Sequence, residues 1–290
     1  MDETRPPGGN PGTDPTPSRC PMRLALCSDI HGNTLALDAV LADVEAQGGV
    51  DGFLVLGDHA ALGPDPVGVL QRLAALPGAR LVRGNTDRYV VSRDRPPPTL
   101  DEVRADLALL PVLVDVSHSI AWTQGAVTAG GWLEWLAALP VEVRLSLPDG
   151  TRLLGVHASP GRDDGPGVRP DLSEATLSTM LAGCEAELVC VGHTHWPVDR
   201  RIGGVRVLNV GSVGNPVVPG LGASYVLLEA DARGYRLRFR RVAYDHGAIV
   251  EALRLVRHPA APWIADHYLG RQQLPWPAGA SLPEDWPPPP

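Results

Sequence analysis

Five short apolar runs in this chain each end on side chains that can hold a metal: RLALCSDIH, GFLVLGD, ARLVRGN, RLLGVH and ELVCVGHTH. A brief apolar run closed by polar punctuation reads as a buried strand, so the fold must contain several strands whose ends share one chemistry. The side chains so placed are Asp29, His31, Asp58, Asn85, His157, His193 and His195. The expectation is five strands delivering ligands to one sheet edge, where open α/β sheets usually carry their sites.

Strand candidates are 22–28, 52–57, 79–82, 151–156 and 187–191, with helices expected between them. Helical spacing covers Thr34–Gln47 and Val67–Leu76. Thr99 opens a helix through Leu110, with Glu102 completing a capping box. Further helices are expected over Gly131–Leu139 and from Ser173 to about Ala182. The second half is strand-rich. Val141–Leu147 and Thr151–Val156 flank a Pro-Asp-Gly turn, and Val205–Val210, Ala223–Glu229 and Tyr235–Arg241 look like antiparallel neighbours. Together these patterns predict an α/β fold of two stacked sheets covered by helices.

The division expected is a Pro- and Gly-rich disordered tail at 1–21, one catalytic domain at 22–245, a helical extension at 246–274 and a Pro-rich tail at 275–290. All 25 basic residues are Arg, which excludes Schiff-base and phosphate-loop lysine chemistry. A net charge of -8 argues against stable nucleic-acid binding. It does not argue against a small phosphorylated substrate, because bound cations reverse the local sign of a pocket. The four cysteines have no zinc-knuckle spacing, and Cys27 and Cys190 lie in apolar runs. No signal-peptide pattern or membrane-length apolar stretch is seen, so a cytoplasmic monomer or small homo-oligomer without membrane contact is expected.

Two carboxylates, one amide and four imidazoles form a mixed oxygen and nitrogen set, too large for one tetrahedral ion. Such a set suits two borderline divalent cations, Mn foremost, with Fe, Ni, Co or Zn possible. Two cations about 3.5–4 Å apart activate water and clamp a phosphoryl group, so no protein nucleophile is needed. None is evident. Each piece also has a plainer reading: Asp29 as a helix cap, Asn85 as a turn residue, and each lone histidine as a hydrogen-bonded surface group. His59, beside Asp58, is a candidate for proton transfer or for orienting a ligand. His118, His246, His258 and His267 lie outside the strand-end pattern.

The blocks DIH at 29–31, GD at 57–58, GNTD at 84–87, His157 and GHTH at 192–195 resemble those of the calcineurin-like metallophosphoesterases. The resemblance spans about 22–242 and implies a four-layer α-β-β-α sandwich of two mixed sheets. It implies that Asp29, His31, Asp58 and His195 hold one metal, and that Asp58, Asn85, His157 and His193 hold the other. Asp58, His59, Asn85 and His193 are then the expected catalytic group. VRGNTD, GPDPVGVLQRL and NVGSVGNP resemble the small prokaryotic phosphodiesterase branch, with Ser212 and Asn215 beside the pocket. Many relatives carry His after GN; this chain has Thr86, which cannot donate a proton near neutral pH.

The expected activity is therefore hydrolysis of a small or nucleotide-like phosphodiester by metal-activated water. The alternatives are a phosphomonoesterase or dinucleoside-polyphosphate hydrolase, and a non-catalytic binding scaffold. Arg83, Arg88 and Arg162 are candidates for phosphate contact, Arg162 first.

Overall fold

The computed structural model describes residues 21–272, 276–277 and 280–288. The tail expected at 1–21 lies outside these except for Pro21. Among the described residues, ten strands form two five-stranded sheets. The first holds β1 (Met22–Cys27), β2 (Gly52–Val55), β3 (Arg80–Leu81), β9 (Ala223–Asp231) and β10 (Gly234–Val242), in the order β10-β9-β1-β2-β3. The second holds β4 (Glu142–Ser146), β5 (Arg152–Val156), β6 (Leu188–Val191), β7 (Val198–Ile202) and β8 (Val205–Asn209), in the order β4-β5-β6-β8-β7. Both are mixed: β1, β2 and β3 run parallel while β9 opposes β1, and β5, β6 and β8 run parallel between antiparallel edges.

Alternation along the strands explains the layering. Leu24 and Leu26 of β1 join Leu188 and Cys190 of β6 in the core between the sheets. Ala25 and Cys27 face the other way, onto α1 (Thr34–Ala46) and α2 (Pro66–Ala75). Val189 and Val191 of β6 face outward onto α7 (Glu174–Leu181). Because both faces of the central strands are covered, their sequences are apolar throughout. The result is the α-β-β-α sandwich, and no described helix is long and apolar enough to cross a membrane.

The remaining helices lie around the strand ends: α3 (Asn85–Val91), α4 (Leu100–Ala105), α5 (Leu110–Ala129), α6 (Leu133–Ala137), α8 (His246–Leu255) and α9 (Ala261–Tyr268). Thr99 caps α4 as expected, but the helix stops at Ala105; a single tight turn at Leu107–Leu109 then leads into the longer α5. Asp106 ends the one helix and caps the turn that follows. The strand expected at 79–82 is only two residues long. β8 is not a neighbour of β9: it pairs with β6 and β7 in the opposite sheet.

Candidate metal centre

The seven ligand candidates converge, but from two sheets rather than one sheet edge. Asp29 and His31 follow β1, Asp58 follows β2 and Asn85 begins α3 after β3, while His157 follows β5 and His193 and His195 follow β6. Two stacked sheets therefore each supply part of the site, and ligands from both meet at its two sides. Five of these residues, Asp29, His31, Asp58, His193 and His195, have φ between 52° and 69°. That left-handed region is unfavourable for residues with a side chain, and such strain concentrates where function holds the backbone in place. The turns also pack tightly. A Cβ on Gly84 would stand 2.1 Å from Asp58 Oδ1, and one on Gly192 would stand 2.5 Å from Asp29 Oδ2. Glycine before Asn85 and before His193 lets backbone approach the carboxylates.

The hydrogen bonds fix which nitrogen of each histidine faces the site. His31 Nδ1 donates to the Ala61 carbonyl at 3.2 Å, His157 Nδ1 to Leu56 at 2.5 Å, His193 Nε2 to Gly165 at 2.8 Å and His195 Nδ1 to Asn215 at 2.7 Å. A nitrogen that donates to a carbonyl carries the proton, so in each neutral ring the other nitrogen presents a lone pair. Those four nitrogens all turn inward. His31 Nε2 faces His195 Nε2 at 3.1 Å, and His195 Nε2 lies 3.2 Å from Asp29 Oδ1. His157 Nε2 and His193 Nδ1 approach the same Asn85 Oδ1, at 3.0 and 2.9 Å. Acceptors facing acceptors are tolerated only if a proton or cation lies between them.

Two clusters follow: Asp29 with His31 and His195, and Asp29 with Asp58 and His157. Asp58 spans them, with Oδ2 3.8 Å from His31 Nε2 and Oδ1 3.4 Å from His157 Nε2. Asp29 Oδ1 is buried with no hydrogen-bond partner among the described residues. This donor set fits a binuclear divalent metal centre, since borderline cations take neutral imidazole, carboxylate and amide oxygen together.

Electrostatics agree. Burial opposes ionisation of Asp29 and Asp58, yet the neighbouring histidines hold both below the ordinary carboxylate range. Burial alone would lower His157, but the Asp58 carboxylate raises it to about 10, and Asp29 likewise raises His195 against burial. Burial lowers His31, and burial with the charge of His157 lowers His193. Cations entering such a cluster displace protons from imidazole, so their binding strengthens as pH rises.

The supporting contacts are specific. Ser212 Oγ donates to the Asp29 carbonyl at 2.8 Å and accepts from Asn215 N at 2.9 Å, which places the carbonyl that holds His195. His59 lies on Asp87: its Nδ1 donates to Oδ2 at 2.7 Å and its backbone N to Oδ1 at 2.9 Å. Gly84 N donates to the same Oδ2 at 2.9 Å, so Asp87 ties the Asp58 turn to the Asn85 turn. Thr86 N donates to Asp58 Oδ1 at 2.9 Å.

Next to Gly165, whose carbonyl accepts from His193, lies a cavity of about 530 Å³ whose lining includes Arg83, Arg88 and Arg162. Two of these arginines are already committed. Asp163 pairs with Arg83 at 2.7 Å and with Arg88 at 3.2 Å, and Arg88 also reaches Asp164 at 2.8 Å. Arg162 is exposed and has no ion pair among the described residues. No pattern in the sequence marks Asp163 as an organiser of this wall. Nor does any mark His267, which α9 brings close enough to His195 and His31 for their charges to act on it.

The chain matches the sequence profile of the calcineurin-like phosphoesterase superfamily domain over residues 22–233. It is 26% identical to an uncharacterised protein of Methanocaldococcus jannaschii over 266 residues, covering 86% of this chain and 98% of that one. Among solved structures it resembles a metallophosphoesterase from Sphaerobacter thermophilus, with a TM-score of 0.67 and 24% identity over 86% of this chain and 98% of the other. A hypothetical protein from Pyrococcus horikoshii gives a TM-score of 0.69 and 21% identity, over 83% and 97% of the two chains.

Proposed function

Because the chain belongs to the calcineurin-like phosphoesterase superfamily, we propose that its centre hydrolyses phosphodiester bonds of a small or nucleotide-like substrate, with manganese as the working metal. The observation that carries this reading is the set of four histidines whose outer nitrogens are tied to carbonyls, leaving four lone pairs turned onto Asp29, Asp58 and Asn85. Two bound divalent cations would lower the pKa of water and neutralise charge on the phosphoryl group.

The chain's own groups then divide the work. Asp29, His31 and His195 would hold one cation, and Asn85, His157 and His193 would hold the other. Asp58, with one oxygen toward a histidine of each group, would be shared between them. His59, fixed on Asp87, positions the Asp58 turn. Thr86 stands where many relatives carry a histidine, and its buried hydroxyl has no partner. With no imidazole at that place, substrates whose leaving oxygen needs little protonation are favoured, and the diesterase branch that the chain resembles also tends to lack that histidine, which supports a diester over a monoester. Arg162, uncommitted at the cavity rim, is placed to contact an anionic part of the substrate.

Activity of the manganese-loaded chain on diester, monoester and dinucleoside-polyphosphate substrates tests this directly. Diesters are expected to give kcat/KM at least about tenfold above monoesters with the same leaving group, within the effect of about 10²–10⁴-fold that one missing catalytic group can have. Turnover confined to monoesters would sink the diesterase assignment. Polyphosphate turnover above both would move it to that class, and inactivity of the loaded chain on all three would favour a binding scaffold.

A further inference from the structure

The C-terminal segment is fastened over the Asp29 side of the centre. Tyr268, buried at the end of α9, donates its hydroxyl to the His31 carbonyl at 3.3 Å. Tyr244 donates to the Gly214 carbonyl at 3.4 Å, and the His258 ring rests 4.5 Å from Trp122 of α5. Next to Tyr268 on α9, His267 stands edge-on to Trp263 with ring centroids 4.7 Å apart. Its Nε2 is sealed from solvent and has no hydrogen-bond partner among the described residues. Buried polar atoms normally have a partner, and an orphan near a binding site points to one that arrives with the ligand.

We propose that His267 is a substrate-binding residue whose Nε2–H donates a hydrogen bond to a phosphoryl oxygen held on the Asp29 side of the centre. The proposal rests on the phosphoesterase reading above. It gives the site an imidazole donor from the far end of the chain, where Thr86 provides none after Gly84-Asn85. Burial first, then the charges of His195 and His31, lower His267 to about 4, and bound cations act in the same direction. The ring is therefore neutral at pH 7 and binds through one N–H rather than as a cation. On the other wall, Arg83 and Arg88 are held by Asp163, so they do not replace it.

The test uses the full chain loaded with manganese, with inorganic phosphate as the probe. In His267→Ala, calorimetry is expected to show phosphate binding weakened about tenfold or more, with two metals per chain retained. His267→Gln, which keeps an N–H donor, is expected to recover most of the loss. In the wild type, the His267 Nε2 resonance of ¹⁵N-labelled protein is expected to shift on adding phosphate. An unchanged phosphate Kd in His267→Ala, equal losses in both variants, or an Nε2 resonance indifferent to phosphate would each overturn the proposal. The nuclear resonance measurement decides the matter even if a variant fails to fold. Phosphate binding that depends on His267 in a chain that hydrolyses no phosphoester would leave this proposal standing and defeat the hydrolase reading; turnover with a silent His267 would do the reverse.

Discussion

On the Asp29 side, His31 and His195 sit beneath the last helix, with Tyr268 bonded to the His31 backbone and the 212–215 loop holding both Asp29 and His195. On the Asn85 side, His193 donates to the Gly165 carbonyl at the rim of a cavity of about 530 Å³ walled by arginines. One wall is roofed and the other opens outward. The Asp29 side is covered by the docked C-terminal segment, while the Asn85 side borders the surface near Arg162 and the 161–165 loop. The difference also gives the two groups of ligands separate supporting contacts, with Asp29 common to both clusters and Asp58 within 3.8 Å of a histidine of each.

Asp58→Asn puts the most weight on this comparison, because it strikes both walls at once. The neutral amide keeps the shape but removes a charge, and kcat/KM is expected to fall by about a thousandfold or more. Metal analysis is expected to show both cations weakened. Asn85→Ala touches one wall only, so one metal per chain should persist there. An Asp58→Asn protein that keeps two metals and full activity would refute the bridge and leave the walls independent.

Ser212→Ala reaches the Asp29 wall alone and comes next in size. Loss of its bonds to the Asp29 carbonyl and to Asn215 N frees the carbonyl that orients His195. Removing an orienting contact of this kind typically costs about 10–100-fold in metal affinity. The more weakly held cation should lose about tenfold, and the other should be unchanged. Equal weakening of both cations in a titration would show that the walls are mechanically one.

The ligands of both walls are legible in the amino-acid sequence, but their arrangement is not. Every ligand candidate stands at the end of an apolar run, because burial needs the run and the chemistry needs its end, so Asp29 through His195 could be picked out by position. Their division between two sheets could not. β8 has the same apolar pattern as β9, and nothing in a period of two says that the loop between them crosses from one sheet to the other. α5 escaped notice because its apolar residues are not confined to one face; Leu110, Val112 and Val114 are exposed. α3 was hidden because Asn85 reads as a turn residue when it is the first residue of a helix. His267 carries no strand-end signature at all. Its place depends on where α9 docks, which rests on tertiary contacts such as Tyr268 with His31.

The roof itself offers the mildest test, one that leaves the site intact at neutral pH. Burial holds His258 at about 4, and burial with the nearby His195 and His31 holds His267 there too. An unfolded histidine titrates near about 6.5. Between these values the unfolded or undocked chain binds more protons than the docked one, so docking loses stability as pH falls from about 6.5 toward 4 and keeps it fully above 6.5. The groups facing these rings are Trp122 against His258, and Trp263, Asp266, His31 and His195 around His267. Hydrogen exchange at pH 7 and pH 5, corrected for the intrinsic rate, should show protection lost across α8 and α9 while β1 and β6 remain protected. Those strands lie at the centres of their sheets, with both faces packed. Were the central strands to open first, or the two helices to stay fully protected at pH 5, the Asp29 wall would owe its closure to something other than the docked segment.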